Sequence, residues 1–512
     1  MLHDGYTFGQ FPPRPVARRA YLLLPGRAHA APFFESGARE PVSVTRSDRL
    51  VARNFLALGS GEIVARVVGF GATVYIARAL GAEAYGVLEL AAAIVLYFTR
   101  IADAGFDLGL GVREMAAAPG EADELAASAL TARTLVSLLC VAILGAVGLW
   151  ILPAPEGPVL AAYGLTLLAV GVGSRWIHVG RERTRLVAVA RTLGEVSMVL
   201  LVLALVRAPE HLIRVPFAKL AGDLLAAAIL LWSLGRAGLP LRPRLDLERL
   251  RPLVRRALPL VLSAFFGLMI YNADLIFIRL FGARADVGHY AAAYTLISFL
   301  SNVGIAYALS LLPTLTRLET EPEEQRALYH AAHAHVVAVG LPVAVGGAML
   351  AGPIIAVVFG GEYAAAGPAL AVLMWSVPLA LLRDLPVMAL MSRGRERRIL
   401  ALTGQAAAVN LALNLALVPT LGIVGAAVAT VVTEAIRMGL AVAAARPLAF
   451  RGPAASRYVR PLLASGVMAA ALALLGPRHA PVSVAVGALA YLAALWAVGG
   501  IRLEGRVPTL RV

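Results

Sequence analysis

Leu258–Leu280 reads LPLVLSAFFGLMIYNADLIFIRL, and this stretch decides how the rest of the chain is read. As a helix rising about 1.5 Å per residue, it is long enough to cross a hydrocarbon core of about 30 Å. A carboxylate, Asp274, lies inside it. A charged side chain at the centre of a membrane helix costs roughly 2.5–3.5 kcal/mol on insertion scales. Such groups therefore face a protein interior or a wet cavity, and they mark function by default.

The pattern recurs. Hydrophobic residues make up 59% of the 512 and charged residues only 15%, the balance of a polytopic membrane protein. Apolar runs fall at about 54–78, 87–110, 128–152, 159–180, 188–206, 215–234, 258–280, 290–313, 331–358, 366–391, 399–419, 422–445, 461–475 and 480–500. They predict an all-α protein with about 14 transmembrane helices, the thirteenth being short. The turns near Pro153, Glu362 and Thr420 carry no Lys or Arg, whereas Arg236–Arg256, Arg393–Arg398 and Arg446–Arg460 are rich in Arg. The positive-inside rule then places the basic segments and both termini in the cytoplasm. The net charge of +15 is dispersed over short loops, which suits anionic headgroups and argues against nucleic acid as a partner.

Leu80–Ala93 (LGAEAYGVLELAAA) resembles Phe281–Ala293 (FGARADVGHYAAA), allowing one gap. Each follows the first helix of a six-helix block. This predicts two six-helix bundles, 54–234 and 258–445, related by a parallel repeat around a central cavity. A basic linker, 235–257, joins them, and 446–512 adds two helices and a short tail. Residues 1–53 read as a basic, Pro-rich, disordered cytoplasmic tail, since Tyr21–Leu24 is too short for a signal-peptide core. The lone Cys140 gives no disulfide framework. His333 and His335 do not share a helical face, so no metal site is expected. No Gly-x4-Gly-Lys-Ser/Thr motif is present, so no nucleotide or other cofactor is expected.

A family resemblance lies in several separated motifs. One is Asn410-x3-Asn414-x4-Pro419-x2-Gly422-x2-Gly425-Ala-Ala-x-Ala-Thr430-x3-Glu434. Others are Ala77-Arg-x-Leu-Gly-x3-Tyr-Gly86, then Tyr97-Phe98, Asp103, Phe106 and Arg113-Glu114. Asp274, Ala285 and Tyr290, and Gly340-Leu-Pro342 before Phe359-Gly360, complete the set. Over about 54–445 the chain resembles the Wzx-type polysaccharide transporters of the multidrug/oligosaccharidyl-lipid/polysaccharide (MOP) exporter superfamily. The resemblance implies a flippase in the bacterial inner membrane. It would carry an undecaprenyl-pyrophosphate-linked oligosaccharide to the periplasmic leaflet by alternating access. Beside that lipid-linked substrate and the bilayer, it implies the polysaccharide polymerase and chain-length machinery as candidate partners.

With that substrate in view, the intramembrane charges become candidate sites. Arg66 with Glu62, and Arg100 with Asp103, are expected to line the cavity and meet the pyrophosphate, because an Arg fork binds phosphate oxygens well. The bland alternative for the first pair is a neutralised packing contact. Asp274, Asn272, Glu434, Lys219 and Asp223 are candidates for ion coupling or for structural pairing. Lys219 and Asp223, four apart, could neutralise each other, and Asp274 could pair with Arg279. Asn410 and Asn414 suit interhelical hydrogen bonds. Arg175, His178 and Arg191 form a cytoplasmic rim, or snorkel to headgroups. Pro378 and Pro386 predict a kinked helix around Arg383-Asp384. The rivals are a cation-coupled multidrug exporter, a peptidoglycan-precursor flippase and a membrane glycosyltransferase or polymerase. The first should line its cavity with carboxylates. The last needs a catalytic loop longer than any here, so no enzyme is expected.

Overall fold

The structure is a computed structural model that describes residues 46–107, 111–117, 122–238, 243–318, 321–448, 450, 458–476, 480–504 and 507–510, with side-chain environments from 67 to 500. The tail reading of 1–53 falls almost wholly outside these residues. The described residues are all-α apart from a hairpin. In order come α1 (Arg46–Asp103), α2 (Gly111–Ala117), α3 (Ala122–Ala146), α4 (Glu156–Gly164), α5 (Leu167–Gly171) and α6 (Arg175–Gly180). Next are α7 (Thr184–Leu205), α8 (Arg214–Arg236), α9 (Leu247–Phe281), α10 (Arg284–Arg317), α11 (Pro322–Met349) and α12 (Ala351–Val358). Then follow α13 (Gly367–Leu373), α14 (Ser376–Ser392), α15 (Glu396–Ala445), α16 (Val459–Leu475) and α17 (Ala480–Ala497). The antiparallel strands β1 (Ile501–Glu504) and β2 (Val507–Leu510) form the hairpin.

The expectation of 14 spans is corrected. Among the described residues, 10 helices are long and apolar enough to cross a membrane, or up to 11 if the bent pair Gly361–Leu373 and Ser376–Ser392 counts as one span. The difference has local causes. The first two apolar runs belong to one helical element, α1, which turns at Gly81 (φ 74°). The eleventh and twelfth runs likewise merge in α15, which turns at Gly422 (φ 56°). Glycine adopts these positive φ values without steric cost, so one residue replaces a loop. The run 366–391 is broken by a 41° bend between Leu373 and Ser376, close to Pro378. The thirteenth run, α16, has 17 residues and falls short of a full span. The paired six-helix bundles are corrected too. Residues 53–512 cluster as one compact unit, and no clear repeat of two six-helix bundles is shown.

Large apolar side chains point outward, as a lipid-facing surface requires: Trp150 is 84% exposed and Leu474 90%. Inside, Tyr85, Tyr290, Tyr363 and Phe359 pack with Leu80, Leu370 and Ile278 in the main core. This core joins α1, α9, α10 and the α12–α13 region. Its tyrosines carry hydroxyls that must be satisfied where water is scarce. Tyr363 donates to the Ala77 carbonyl at 2.7 Å and Tyr290 to Asp274 at 2.5 Å.

Candidate functional site: a charged cavity, a buried network and a closed end

Two adjoining cavities, about 380 and 360 Å3, share Thr99, Val170 and Asp223 in their walls. The first is lined by Glu89, Tyr163, Lys219 and Asn272. The second is lined by Arg100, Asp103, Arg175, Arg191 and Glu195. Residues drawn from α1, α6, α7, α8 and α9 thus meet in one charged space. Arg175 and Arg191 are exposed, and Arg100 is half-buried. Arg100 Nε is buried without a hydrogen-bond partner, and among the described residues this arginine has no carboxylate partner. Lys219 Nζ is 2.5 Å from Asp223 Oδ1, each side chain about a third exposed to the cavity. His178 lies apart: it is fully buried, with Nε2 3.0 Å from the Leu230 carbonyl. Glu62 and Arg66 belong to α1, in the part whose side chains lie outside the described residues.

Asp103 is held by a residue that the sequence reading missed. Arg133, on α3, is 2% exposed. Its Nη2 is 3.2 Å from Asp103 and 3.0 Å from Asp107, and it also donates to the Val170 carbonyl at 3.0 Å. Its Nη1 donates to the Gly173 carbonyl at 3.1 Å. One guanidinium therefore pins the end of α1 to α3 and to the end of α5. Its five donors in a fixed fork suit several acceptors at once. Near the start of the apolar run 128–152, it carried no distinguishing signal.

A second polar cluster joins α9, α14 and α15. Glu434 is 1% exposed and accepts from Arg383 at 2.5 Å, Arg437 at 2.5 Å and the Tyr271 hydroxyl at 2.9 Å. Arg383 also bonds Asp384 at 2.7 Å. Two arginines and two carboxylates balance. The pairing of Glu434 with Arg437, three residues on, was within reach of helical spacing, whereas Arg383 was not. Asp274 differs. It is fully buried, and its donors are all neutral: Tyr290 at 2.5 Å, Thr430 at 2.7 Å and Asn414 at 2.7 Å. Asn410 Nδ2 reaches Thr433 at 3.3 Å. Arg279 does not pair with Asp274; it bonds Glu156 instead, at 2.9 Å. Among the described residues no group of three or more His, Cys, Asp or Glu could hold a metal ion.

At the end carrying the turns near Pro153 and Glu362, the chain is closed. Glu156 accepts from Arg279 and from Arg284, the latter at 2.6 and 2.8 Å. Arg78 donates to the Val358 carbonyl at 2.8 Å and also to that of Val357. Glu362 accepts from the Ala82 amide at 2.8 Å. The two similar stretches of sequence meet here. A Cβ on Gly86 would lie 2.2 Å from the Arg284 carbonyl oxygen, and one on Gly288 would lie 1.9 Å from that of Ala82. Backbone thus touches backbone where α1 crosses α10. Gly288→Val is expected to force this seam apart. A cysteine replacing buried Val287, in a Cys140→Ser background, should then react faster with a membrane-impermeant maleimide. Equal rates with and without Gly288→Val would show that the seam absorbs the side chain.

A third cavity, about 560 Å3, is almost wholly apolar. Pro342, Val343, Met374, Met468, Leu472 and Leu492 are among its walls, so α16 and α17 close one side of it.

The fold and these cavities define an all-α, multi-pass membrane protein of the transporter type. A family described as "Polysaccharide biosynthesis protein" matches residues 51–319, and the chain belongs to that family. No curated protein sequence matches it. Among solved structures, it is similar to the lipid II flippase MurJ in an inward closed conformation: TM-score 0.71, 12% identity, covering 86% of this chain and 98% of that one. It is also similar to an inward-facing multidrug resistance MATE family transporter of the MOP superfamily: TM-score 0.60, 16% identity, 75% and 94% covered. A MOP superfamily transporter from Pyrococcus furiosus, described by the reverse polarity of its binding pocket, gives TM-score 0.56 at 16% identity, with 77% and 94% covered. These likenesses establish a shared MOP fold.

Proposed function

We propose that this protein is a flippase that moves an undecaprenyl-pyrophosphate-linked oligosaccharide from the cytoplasmic to the periplasmic leaflet of the bacterial inner membrane. The observation that carries the reading is Arg100. It lines a cavity within the apolar helices together with the exposed Arg175 and Arg191, and among the described residues it has no carboxylate partner. An anionic headgroup leaving water needs such cations, and charge-assisted hydrogen bonds to a guanidinium are strong. Arg66 is proposed to add a further cation. The apolar cavity beside α16 and α17 suits a prenyl chain. Asp103 serves through Arg133, as a fixed wall of the cavity rather than a ligand. Asp274, a buried carboxylate with only neutral donors, is proposed for ion coupling, with Asn272, two residues earlier on α9, lining the cavity. Family membership implies a role in polysaccharide assembly, and the polymerase and chain-length machinery are its proposed protein partners.

Purified protein in liposomes tests the reading. Transbilayer movement of a pyrophosphate-linked glycolipid is followed beside ion-driven uptake of a cationic dye. Glycolipid movement without dye uptake is the expected result. Dye uptake without glycolipid movement would make the protein an exporter. A peptidoglycan-precursor headgroup belongs in the same assay, because the MurJ-like fold gives that substrate a specific claim.

We further propose that the closed end is periplasmic and that both termini are cytoplasmic. Reporter fusions after Pro155 and Thr420 should report the periplasm, and one after Arg244 the cytoplasm. The reverse pattern would invert the direction of transport.

A further inference from the structure

Lys219 is the only lysine in a chain with 46 Lys and Arg residues, and it lies within α8, a membrane-length helix. Its cavity holds two carboxylates. One is Asp223, already paired with it at 2.5 Å. The other is Glu89 of α1, which the sequence reading did not single out. Glu89 lies one turn after Tyr85, whose hydroxyl is 3.3 Å from Thr295 Oγ1, and among the described residues it has no cation within ion-pair distance. The remaining polar walls are Thr99 of α1, Tyr163 and Thr166 near α4, and Asn272 of α9. Among the described residues no further basic group lines this chamber. Arg100 and Arg191 line the adjoining chamber, together with Glu195.

Among the described residues, two carboxylates thus line one chamber with a single ammonium group, which pairs with Asp223, in a space enclosed by apolar helices. Leaving both ionised strands a negative charge where solvation is poor. An arginine would hold both permanently, since it does not release its charge and grips bidentately, whereas a compact ammonium on a flexible stem can change partners. We propose that Glu89, Asp223 and Lys219 form a proton-exchange site, in which Lys219 pairs with one carboxylate while the other takes up a proton from cavity water. The chamber opens into the one lined by Arg100 through Thr99, Val170 and Asp223. An anionic headgroup at Arg100 adds negative charge to the shared space and favours uptake of that proton. Its departure favours release. Substrate movement and proton movement are linked in this way, and that linkage rests on the flippase reading.

The solitary lysine supplies its own probe. Reductive methylation of the full-length protein with isotope-enriched formaldehyde labels Lys219 and the terminal α-amine, and it preserves the charge of both. The Lys219 methyl resonance, followed in detergent between about pH 5 and about pH 9, should titrate with the neighbouring carboxylates. Glu89→Gln should abolish that titration while the resonance itself persists. Asp223→Asn should leave a titration that follows Glu89. If Glu89→Gln does not fold, Glu89→Asp keeps a carboxylate and should titrate with a displaced midpoint. An identical curve in wild type and Glu89→Gln, or in wild type and Glu89→Asp, would overturn the site. So would a wild-type resonance that responds to exchange of sodium for choline instead of to pH, because the chamber would then take a metal cation. No substrate enters this measurement, so a failed glycolipid assay and a failed titration are told apart.

Discussion

Glu434→Ala is expected to destabilise the protein by about 3–5 kcal/mol, the cost of breaking a buried ion pair by removing one partner. Glu434 is the point where α9, α14 and α15 are tied: Arg383, Arg437 and Tyr271 all converge on its carboxylate. Without it, Arg383 keeps Asp384 and the Tyr271 hydroxyl, and the cluster carries an excess positive charge away from water. Thermal unfolding in detergent measures the loss. Arg383→Ala leaves Glu434 with Arg437, and should cost less than the Glu434 change. The double variant should be less damaged than the sum of the two, because the two residues share one interaction. Additive losses would mean that the pair is not what joins α14 to α15.

The second large effect is on binding and should leave stability intact. Among the described residues Arg100 makes no ion pair, and its Nε has no hydrogen-bond partner. Arg100→Ala should therefore leave the unfolding temperature unchanged or raise it. It should weaken binding of a pyrophosphate-linked glycolipid by about ten- to a hundredfold, from the loss of about 1.5–3 kcal/mol of charged hydrogen bonding. Arg100→Lys should recover part of this, keeping the charge without the fork. Unaltered binding in Arg100→Ala would remove the residue from the site. Opposite outcomes at Glu434 and Arg100 are the sharpest division between a charge that holds the fold and a charge held ready for a ligand.

Much of this was legible in the sequence, for physical reasons that differ from residue to residue. Apolar runs are local, and so the membrane class was plain. The number of spans was not, because Gly81 and Gly422 turn the chain inside helical elements without the polar loop that marks a boundary. Charges within apolar runs stand out by their cost, which is why Asp274, Glu434, Arg100 and Lys219 could be named. The Lys219–Asp223 pair, at helical spacing, was readable for the same local reason. Partners were not. Arg133 meets Asp103 across 30 positions of sequence, and Tyr271 meets Glu434 across 163, and periodicity carries no information at such separations. Pro378 and Pro386 predict a kink around Arg383-Asp384; the bend falls nearer Pro378, and Arg383 is a partner of Glu434. Glu89 was hidden for another reason. It sits in the turn-proximal part of its run, where a carboxylate reads as interfacial until the cavity beside it is seen.

The closed end has a consequence for how its history would be recorded. Many of its contacts finish on main-chain atoms: the Val358 and Ala77 carbonyls, the Ala82 amide, and the backbone crossing of Gly86 with Gly288. A main-chain acceptor is supplied by whichever residue occupies the position. Val358 can drift to any helix-compatible side chain and still receive Arg78. Positions joined through the main chain at this seal are therefore under little pressure to change together, unlike Glu156 with Arg279 and Arg284. Covariation drawn from related chains would fall nearly silent at the main-chain contacts, while reporting the side-chain pair Glu434–Arg383 clearly. Alanine at Val358 would share the blindness, since deleting its side chain leaves the acceptor in place, whereas alanine at Arg78, Tyr363 or Glu362 removes the partner. The backbone crossing would be found by adding bulk at its two glycines, not by taking groups away.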